Sequence, residues 1–391
     1  MRLFSVSLSV NSIPSLTTIK SSCLTLVALL LITSSLFSHA DQATVEFTKS
    51  QLQIADNFSY SGRIDFNQVP GPYLTWPGTS VKFRFTGNQL RLKLNDDNGR
   101  NLFNVIFNGQ NQTPYVLAAK KGLHEYNLSH MINTEVTTVE IFKRTEGDEG
   151  GTHLVAVKLG QNAKLLTPPV SPTRKIVFYG DSITAGMGNE APHNTGDSNP
   201  VDKNHYLSYA AITARNLNAE FQSIAKSGIG FMISWFDFIM PQYYDQLTGE
   251  NDNQSQWDFN RWQPDVVVVN LGQNDSWLID DQKRLTATPE QIVRAYNNFI
   301  QTLREKHPNA YFICALGSMD ATDFNNRDNH WPEYITTAVH NIKQQAKANG
   351  QATNIDTLMF RFTGYGAHPR VNQHVDNADK LTAFIKQKLS W

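Results

Sequence analysis

Cysteine is almost missing from this chain. There are two in 391 residues, Cys23 and Cys314. Cys23 lies in an N-terminal apolar run, so a disulfide framework is excluded as the source of stability. A charge excess of either sign is missing too: 34 Lys and Arg stand against 35 Asp and Glu, a formal net charge of -1. Without a basic excess or basic–aromatic interleaving, nucleic acid is not an expected partner. No acidic block offers a solvating tail. No internal repeat or low-complexity tract occurs, which excludes repeat arrays. What remains is 40% hydrophobic and 18% charged, the composition of a folded soluble protein with room for two domains.

The first forty residues form a class of their own. Arg2 and Lys20 are their only charges, and the first acid is Asp41. Cys23 to Leu36 is a nearly unbroken apolar run, and Ser38-His39-Ala40 has the small-x-small form of a cleavage site. Residues 1–40 are therefore expected to be a secretory signal peptide with a long n-region. The run is short for a membrane anchor. Its removal takes two positive charges from a net of -1, leaving -3. The expectation is a secreted or periplasmic protein without stable membrane association. Cys314, in "AYFICALGS", reads as a buried small hydrophobe.

Pro168, Pro169 and Pro172 mark a stiff connector, residues 167–173. On its N-terminal side, residues 41–166 carry short period-two runs punctuated by Gly, Asn and Asp. They include "SVKFRFTG", "QLRLKLND", "LFNVIFNG" and "TTVEIFKRT". These predict an all-β sandwich of jelly-roll type. Beyond it, residues 174–391 alternate apolar strands at 175–179, 265–270 and 310–316 with amphipathic helices. Leu207, Ala210, Ala211, Ala214 and Leu217 share one helical face. Thr288, Pro289 and Gln291 read as N-cap, N1 and N3 of another helix, and Gly350 as a C-cap. The pattern predicts an α/β three-layer domain on a mostly parallel sheet. Ligands in such sheets bind beyond the carboxyl ends of the strands.

Three of those corners carry chemistry. In "KIVFYGDSITAGMGN", Ser182 follows the first strand. A serine hydroxyl needs a base to become a nucleophile, and the plainer reading of Asp-Ser here is a helix N-cap. "VVVVNLGQND" ends on Gly272, Asn274 and Asp275, and an Asn side chain there can donate to a developing oxyanion. Near the C-terminus His368 precedes Pro369, read as N1 of the last helix. Of the 7 tryptophans, Trp277 lies two residues past Asp275 and Trp331 sits in "NHWPEY". Both are candidates for stacking on a sugar ring, although either could be a core or rim aromatic.

"GDSIT", "LGQND" and the C-terminal "HP" resemble the blocks of the SGNH (GDSL-type) hydrolases. "YSGRIDFN", "FNVIFNGQ", "VEIFKRTEG", "GDSITAGMGNE", "WDFNRWQPDVVVVNLGQND" and "YFICALGSM" resemble the family 2 carbohydrate esterases, including acetyl xylan esterases. In that family a jelly roll precedes the hydrolase domain. The likeness runs from about Tyr60 to the end and implies Ser182 as nucleophile and His368 as general base. It implies an oxyanion hole of the Ser182 amide, the Gly228 amide and the Asn274 side chain, with Gly230 as the competitor to Gly228. Asp181 and Asp275 are expected to brace the corners. No metal or organic cofactor is implied.

One departure stands out. Relatives often carry an Asp two or three residues before the catalytic His, where this chain has Gly366 and Tyr365. The expectation is a Ser-His dyad of the kind some family members use, unless an acid such as Asp356 or Asp376 substitutes from elsewhere. The leading functional reading is removal of O-acetyl groups from an acetylated xylan- or mannan-type polysaccharide. The alternatives are a lipid-directed esterase or thioesterase, and a glycan-binding protein whose esterase site has decayed.

Overall fold

Alternation decides the first half of the chain. In the strand Leu90–Asp96, Leu90, Leu92 and Leu94 are buried while Arg91 and Lys93 reach toward solvent. Eleven further short strands among the described residues behave similarly or cover edges, giving two antiparallel sheets. One runs Ile64–Asp65, Tyr73–Leu74, Thr152–Gly160, Leu90–Asp96, Gly122–Asn127, with Thr44–Phe47 also paired to Thr152–Gly160. The other runs Leu165–Leu166, Ser80–Thr86, Val136–Lys143, Leu102–Phe107, Tyr115–Ala118, with Phe58–Ser61 added to Ser80–Thr86. Phe83, Phe85, Leu92, Phe103 and Val157 fill the space between them. The computed structural model describes residues 44–391 except 55, 111–112, 194, 251–254 and 280–283. The expected signal peptide, 1–40, lies outside the described residues.

The strand Leu102–Phe107 departs from alternation, being buried at all six positions. Its second face meets the other half of the chain. Ile106 and Phe142 pack with Phe221 and Tyr206, and the Asn104 side chain donates to that of Asn204 at 3.4 Å. Arg63, almost fully buried, crosses the same boundary and donates to the carbonyls of Tyr244 (2.8 Å) and Gln246 (2.6 Å). Thr44–Trp391 accordingly form one compact unit. Among the described residues no helix is long and apolar enough to cross a membrane.

After residues 167–173, which hold neither helix nor strand, comes a five-stranded parallel sheet. Its order is Ala219–Ala225, Arg174–Gly180, Val266–Asn270, Tyr311–Leu316, Ile355–Met359. Alternate residues serve its two faces. Val177 and Tyr179 pack toward the helices Pro289–Lys306 and Trp331–Ala348, while Ile176 and Phe178 pack toward Tyr209–Asn216 and Val371–Leu389. Thr288 caps its helix as expected: its amide donates to Gln291 Oε1 at 2.8 Å and its hydroxyl accepts from the Gln291 amide at 3.4 Å. The last helix starts at Val371 rather than at Pro369. Arg370 stays extended because its amide is taken by Gln373 Oε1 at 2.7 Å and its guanidinium by loop carbonyls described below.

Trp331 corrects an expectation. It is 1% exposed and cannot stack on a sugar. The helix begins three residues earlier than "YITTAV", with Pro332 in its first turn, and this turns the indole inward. The ring meets Phe231 and Tyr334 edge-on, at 6.3 and 5.6 Å between centroids, and underpins the 272–275 corner. Replacing it leaves a large cavity beneath that corner. Trp331→Ala should cost about 3–5 kcal/mol, read as a lower urea midpoint at unchanged slope, with Trp331→Phe recovering part of the loss.

Candidate active site

The carboxyl ends of three adjacent parallel strands build one edge. Arg174–Gly180 leads to Asp181 and Ser182, Ala219–Ala225 to Ser227 and Gly228, and Val266–Asn270 to Asn274 and Asp275. Asp181 caps a one-turn helix, Ser182–Ala185, accepting from the Ile183 amide at 3.0 Å. The cap reading of Asp-Ser is thus right for the aspartate. It places Ser182 at N1, where its own amide has no intrahelical partner and its hydroxyl is free for another group.

That group is His368, whose Nε2 lies 2.8 Å from Ser182 Oγ. The opposite ring nitrogen, Nδ1, lies 2.8 Å from Asp197 Oδ2, and the same oxygen accepts from the His368 backbone amide at 2.8 Å. A carboxylate only accepts, so Nδ1 carries a hydrogen and Nε2 presents its lone pair to the serine. The local absence of acid before His368 is therefore made good from 171 residues upstream. Neither Asp356 nor Asp376 takes this position. Asp356 instead pairs with Lys343 and Lys388. Burial opposes the Asp197 charge, but hydrogen bonds to His368 and the Arg370 cation outweigh it and hold the carboxyl at about 2.

Asp197 belongs to a loop that its neighbours clamp. Arg370 donates to the carbonyls of Gly188 (3.1 Å), Pro192 (3.2 Å), Thr195 (2.9 Å) and His368 (2.9 Å), with its guanidinium 3.7 Å from Asp197. One cation thereby ties the loop to the histidine. At Gly188 φ is +59°, and a Cβ there would stand 2.2 Å from Asp197 Cβ. Only glycine lets the loop close this far. Two clues to this acid were present in the sequence. "TGDSNP" repeats the Gly-Asp-Ser triplet 16 residues after the first, and Asp197 has no periodic role there.

The candidate oxyanion donors differ in the partners they already have. Gly230 spends its amide on Ser234 Oγ at 3.1 Å. The Gly228 amide has no acceptor among the described residues, while its carbonyl accepts from the Trp235 amide at 3.1 Å. Asn274 is 2% exposed and its orientation is fixed by donor-only and acceptor-only neighbours. The Trp235 indole donates to Oδ1 at 3.1 Å, so the NH₂ group faces the Ile229 carbonyl (2.9 Å) and Asp181 (3.5 Å). Asp275 accepts from the amides of Phe231 (3.1 Å), Met232 (2.7 Å) and Ile233 (3.1 Å), which ties down the loop after Gly228. Burial pushes the carboxyls of Asp181 and Asp275 up, to about 7 and about 6, against their amide donors.

The aromatics divide. Trp277, half-buried on the same short helix as Asn274, donates its indole N–H to both oxygens of Asp320, at 3.0 and 2.9 Å. Trp235, which no motif in the sequence marks, is 44% exposed and sits against both Asn274 and Gly228.

Two family models match the chain in the order of its halves. Residues 60–169 match the carbohydrate esterase 2 N-terminal model, and residues 178–380 match the GDSL-like lipase/acylhydrolase family. Over 374 residues the chain is 28% identical to an acetylxylan esterase/glucomannan deacetylase of Cellvibrio japonicus, covering 94% of this chain and 99% of that one. It is 32% identical over 348 residues to the cellulase/esterase CelE of Acetivibrio thermocellus, covering 85% of this chain but only 39% of CelE. A family two carbohydrate esterase from Clostridium thermocellum, solved in complex with cellohexaose, superposes with a TM-score of 0.73. It is 32% identical over 85% of this chain and 99% of its own. Its counterpart from Cellvibrio japonicus gives 0.77 at 26% identity, over 90% and 99%. With both halves matched in order and a neighbour of this identity spanned almost end to end, the chain belongs to carbohydrate esterase family 2 and is a carboxylic-ester hydrolase.

Proposed function

We propose that this enzyme removes O-acetyl groups from xylan- or mannan-type polysaccharides through an acyl-serine intermediate. The observation that carries the mechanism is the line Ser182–His368–Asp197, two contacts of 2.8 Å on the two nitrogens of one imidazole. Ser182 Oγ attacks the ester carbonyl while His368 Nε2 takes its proton. The tetrahedral oxyanion is held by the amides of Ser182 and Gly228 and by the Asn274 side chain. His368 returns the proton to the departing sugar hydroxyl. Water then attacks the acyl-serine, giving up its proton to His368, which passes it back to Ser182 Oγ as acetate leaves. Asp197 holds the ring in the productive tautomer and stabilises the imidazolium. Every step uses groups of the chain and water.

The substrate class rests on the relatives named acetylxylan esterase/glucomannan deacetylase and on the cellohexaose complex. Trp277 and Trp235 supply ring faces beside the reacting centre. The N-terminal 40 residues support export, to the medium or the periplasm. Membership in a carbohydrate esterase family weighs against a lipid-directed role. The missing acid was the support for a decayed site, and Asp197 removes that support.

Acetate release should be measured from acetylated xylan, acetylated glucomannan and p-nitrophenyl acetate. Ser182→Ala should abolish it on all three, and a variant as fast as the parent would overturn the nucleophile assignment.

Asp197→Asn should lower kcat by about 10²–10⁴-fold, because the amide imposes the wrong imidazole tautomer. The folded Asp197 value lies below that of the unfolded chain, so the carboxylate adds stability above about pH 4. That contribution fades as pH falls through about 2. The stability deficit of Asp197→Asn should therefore be present at pH 6 and shrink toward pH 2 in denaturant titrations.

A further inference from the structure

The oxyanion side of the site has a contributor from outside the hydrolase half. Glu146 lies in the β-sandwich loop between the strands Val136–Lys143 and Thr152–Gly160. It is 1% exposed and both of its oxygens are occupied. Oε2 accepts the Ser227 amide at 2.6 Å, and Oε1 accepts the Ser227 hydroxyl at 2.6 Å and Lys203 Nζ at 2.9 Å. Ser227 is the residue immediately before Gly228.

We infer that Glu146 is a positioning residue that holds the Gly228 amide toward the oxyanion. This rests on the catalytic reading above. The peptide plane between Ser227 and Gly228 is the weak point of the hole. Gly228 has φ +84°, and a glycine rotates about its flanking bonds with little steric cost. A flip of that plane would replace an N–H with a carbonyl oxygen facing the developing negative charge. Two contacts oppose the flip. The Trp235 amide fixes the Gly228 carbonyl from one side. Glu146 fixes Ser227 from the other, through both its backbone amide and its hydroxyl. An oxyanion donor helps only if it is already aimed when the charge forms.

A carboxylate this close to an oxyanion hole has to be neutralised. Lys203 supplies a cation to Glu146 and to Glu149, at 2.9 and 2.8 Å, and Lys226 pairs with Asp148 on the same loop. The cations come from the hydrolase half and the acids from the sandwich. Glu149 thus shares the ion cluster with Glu146 but does not touch Ser227. That difference separates positioning from simple cohesion.

The test uses the full chain and p-nitrophenyl acetate, with thermal midpoints measured alongside. Glu146→Gln should lower kcat by about 10–100-fold while KM stays within about twofold, the signature of an interaction made in the transition state. Glu149→Gln, which weakens the same cluster, should leave kcat within about twofold of the parent. Equal losses in the two variants would reduce Glu146 to an interdomain tether and overturn the inference. So would full kcat in Glu146→Gln when Ser182→Ala is inactive. If Glu146→Gln does not fold, Ser227→Ala decides, since it removes one of the two bonds and leaves the ion cluster intact. A kcat drop of about threefold or more supports the inference, and an unchanged kcat overturns it. An active Ser182→Ala would instead sink the catalytic reading, and this inference with it.

Discussion

The carboxylate of Asp197 is the constraint on which the rest of the site depends. It accepts from both the backbone and the ring of His368 through a single oxygen, with Arg370 beside it. Without it the imidazole has a neighbour on one side only. Holding it there requires a loop closed tightly enough that Gly188 and Asp197 are in contact, and a guanidinium that reaches four carbonyls. Arg370 in turn keeps the chain extended past Pro369 and delays the start of the last helix. The hydrogen-bonded line Ser182–His368–Asp197 and the loop architecture are one arrangement.

Opposite demands are met on the two sides of Ser182. On the histidine side the proposed reaction moves a proton, and there a ring with a defined tautomer is hydrogen-bonded at both nitrogens. On the side of the proposed oxyanion hole donors need fixed directions, and buried acceptors serve that end. Asp275 gathers three amides after Gly228, and Trp235 settles which end of the Asn274 carboxamide faces inward. They set direction in a region where burial makes an unmatched polar group expensive.

Local signals were legible in the sequence and long-range pairings were not. Period-two runs such as "QLRLKLND" marked strands, and the capping residues around Thr288 marked a helix, because both arise from neighbours in the chain. Ser182, Asn274 and His368 stood out because strand ends expose small and polar residues where apolar runs stop. Asp197 carries no local mark of its pairing because its partner His368 lies 171 residues further along the chain, and only the fold brings the two loops together. Trp331 was misjudged for a related reason. Its flanking "NHWPEY" is polar, yet the helix it begins turns the ring into the core. Leu102–Phe107 looked half-exposed because alternation describes one sheet and is silent about a second body packed against its back.

That doubly covered strand bears on how the enzyme can be handled. Its outward side chains, with Phe142, close over Phe221 and Tyr206, and next to this patch the sandwich acids neutralise Lys203 and Lys226. Cutting at the proline connector would uncover an aromatic surface and leave two ammonium groups without counter-charges. The catalytic half is therefore a poor cassette for grafting onto other scaffolds, and fusion designs should carry both halves together.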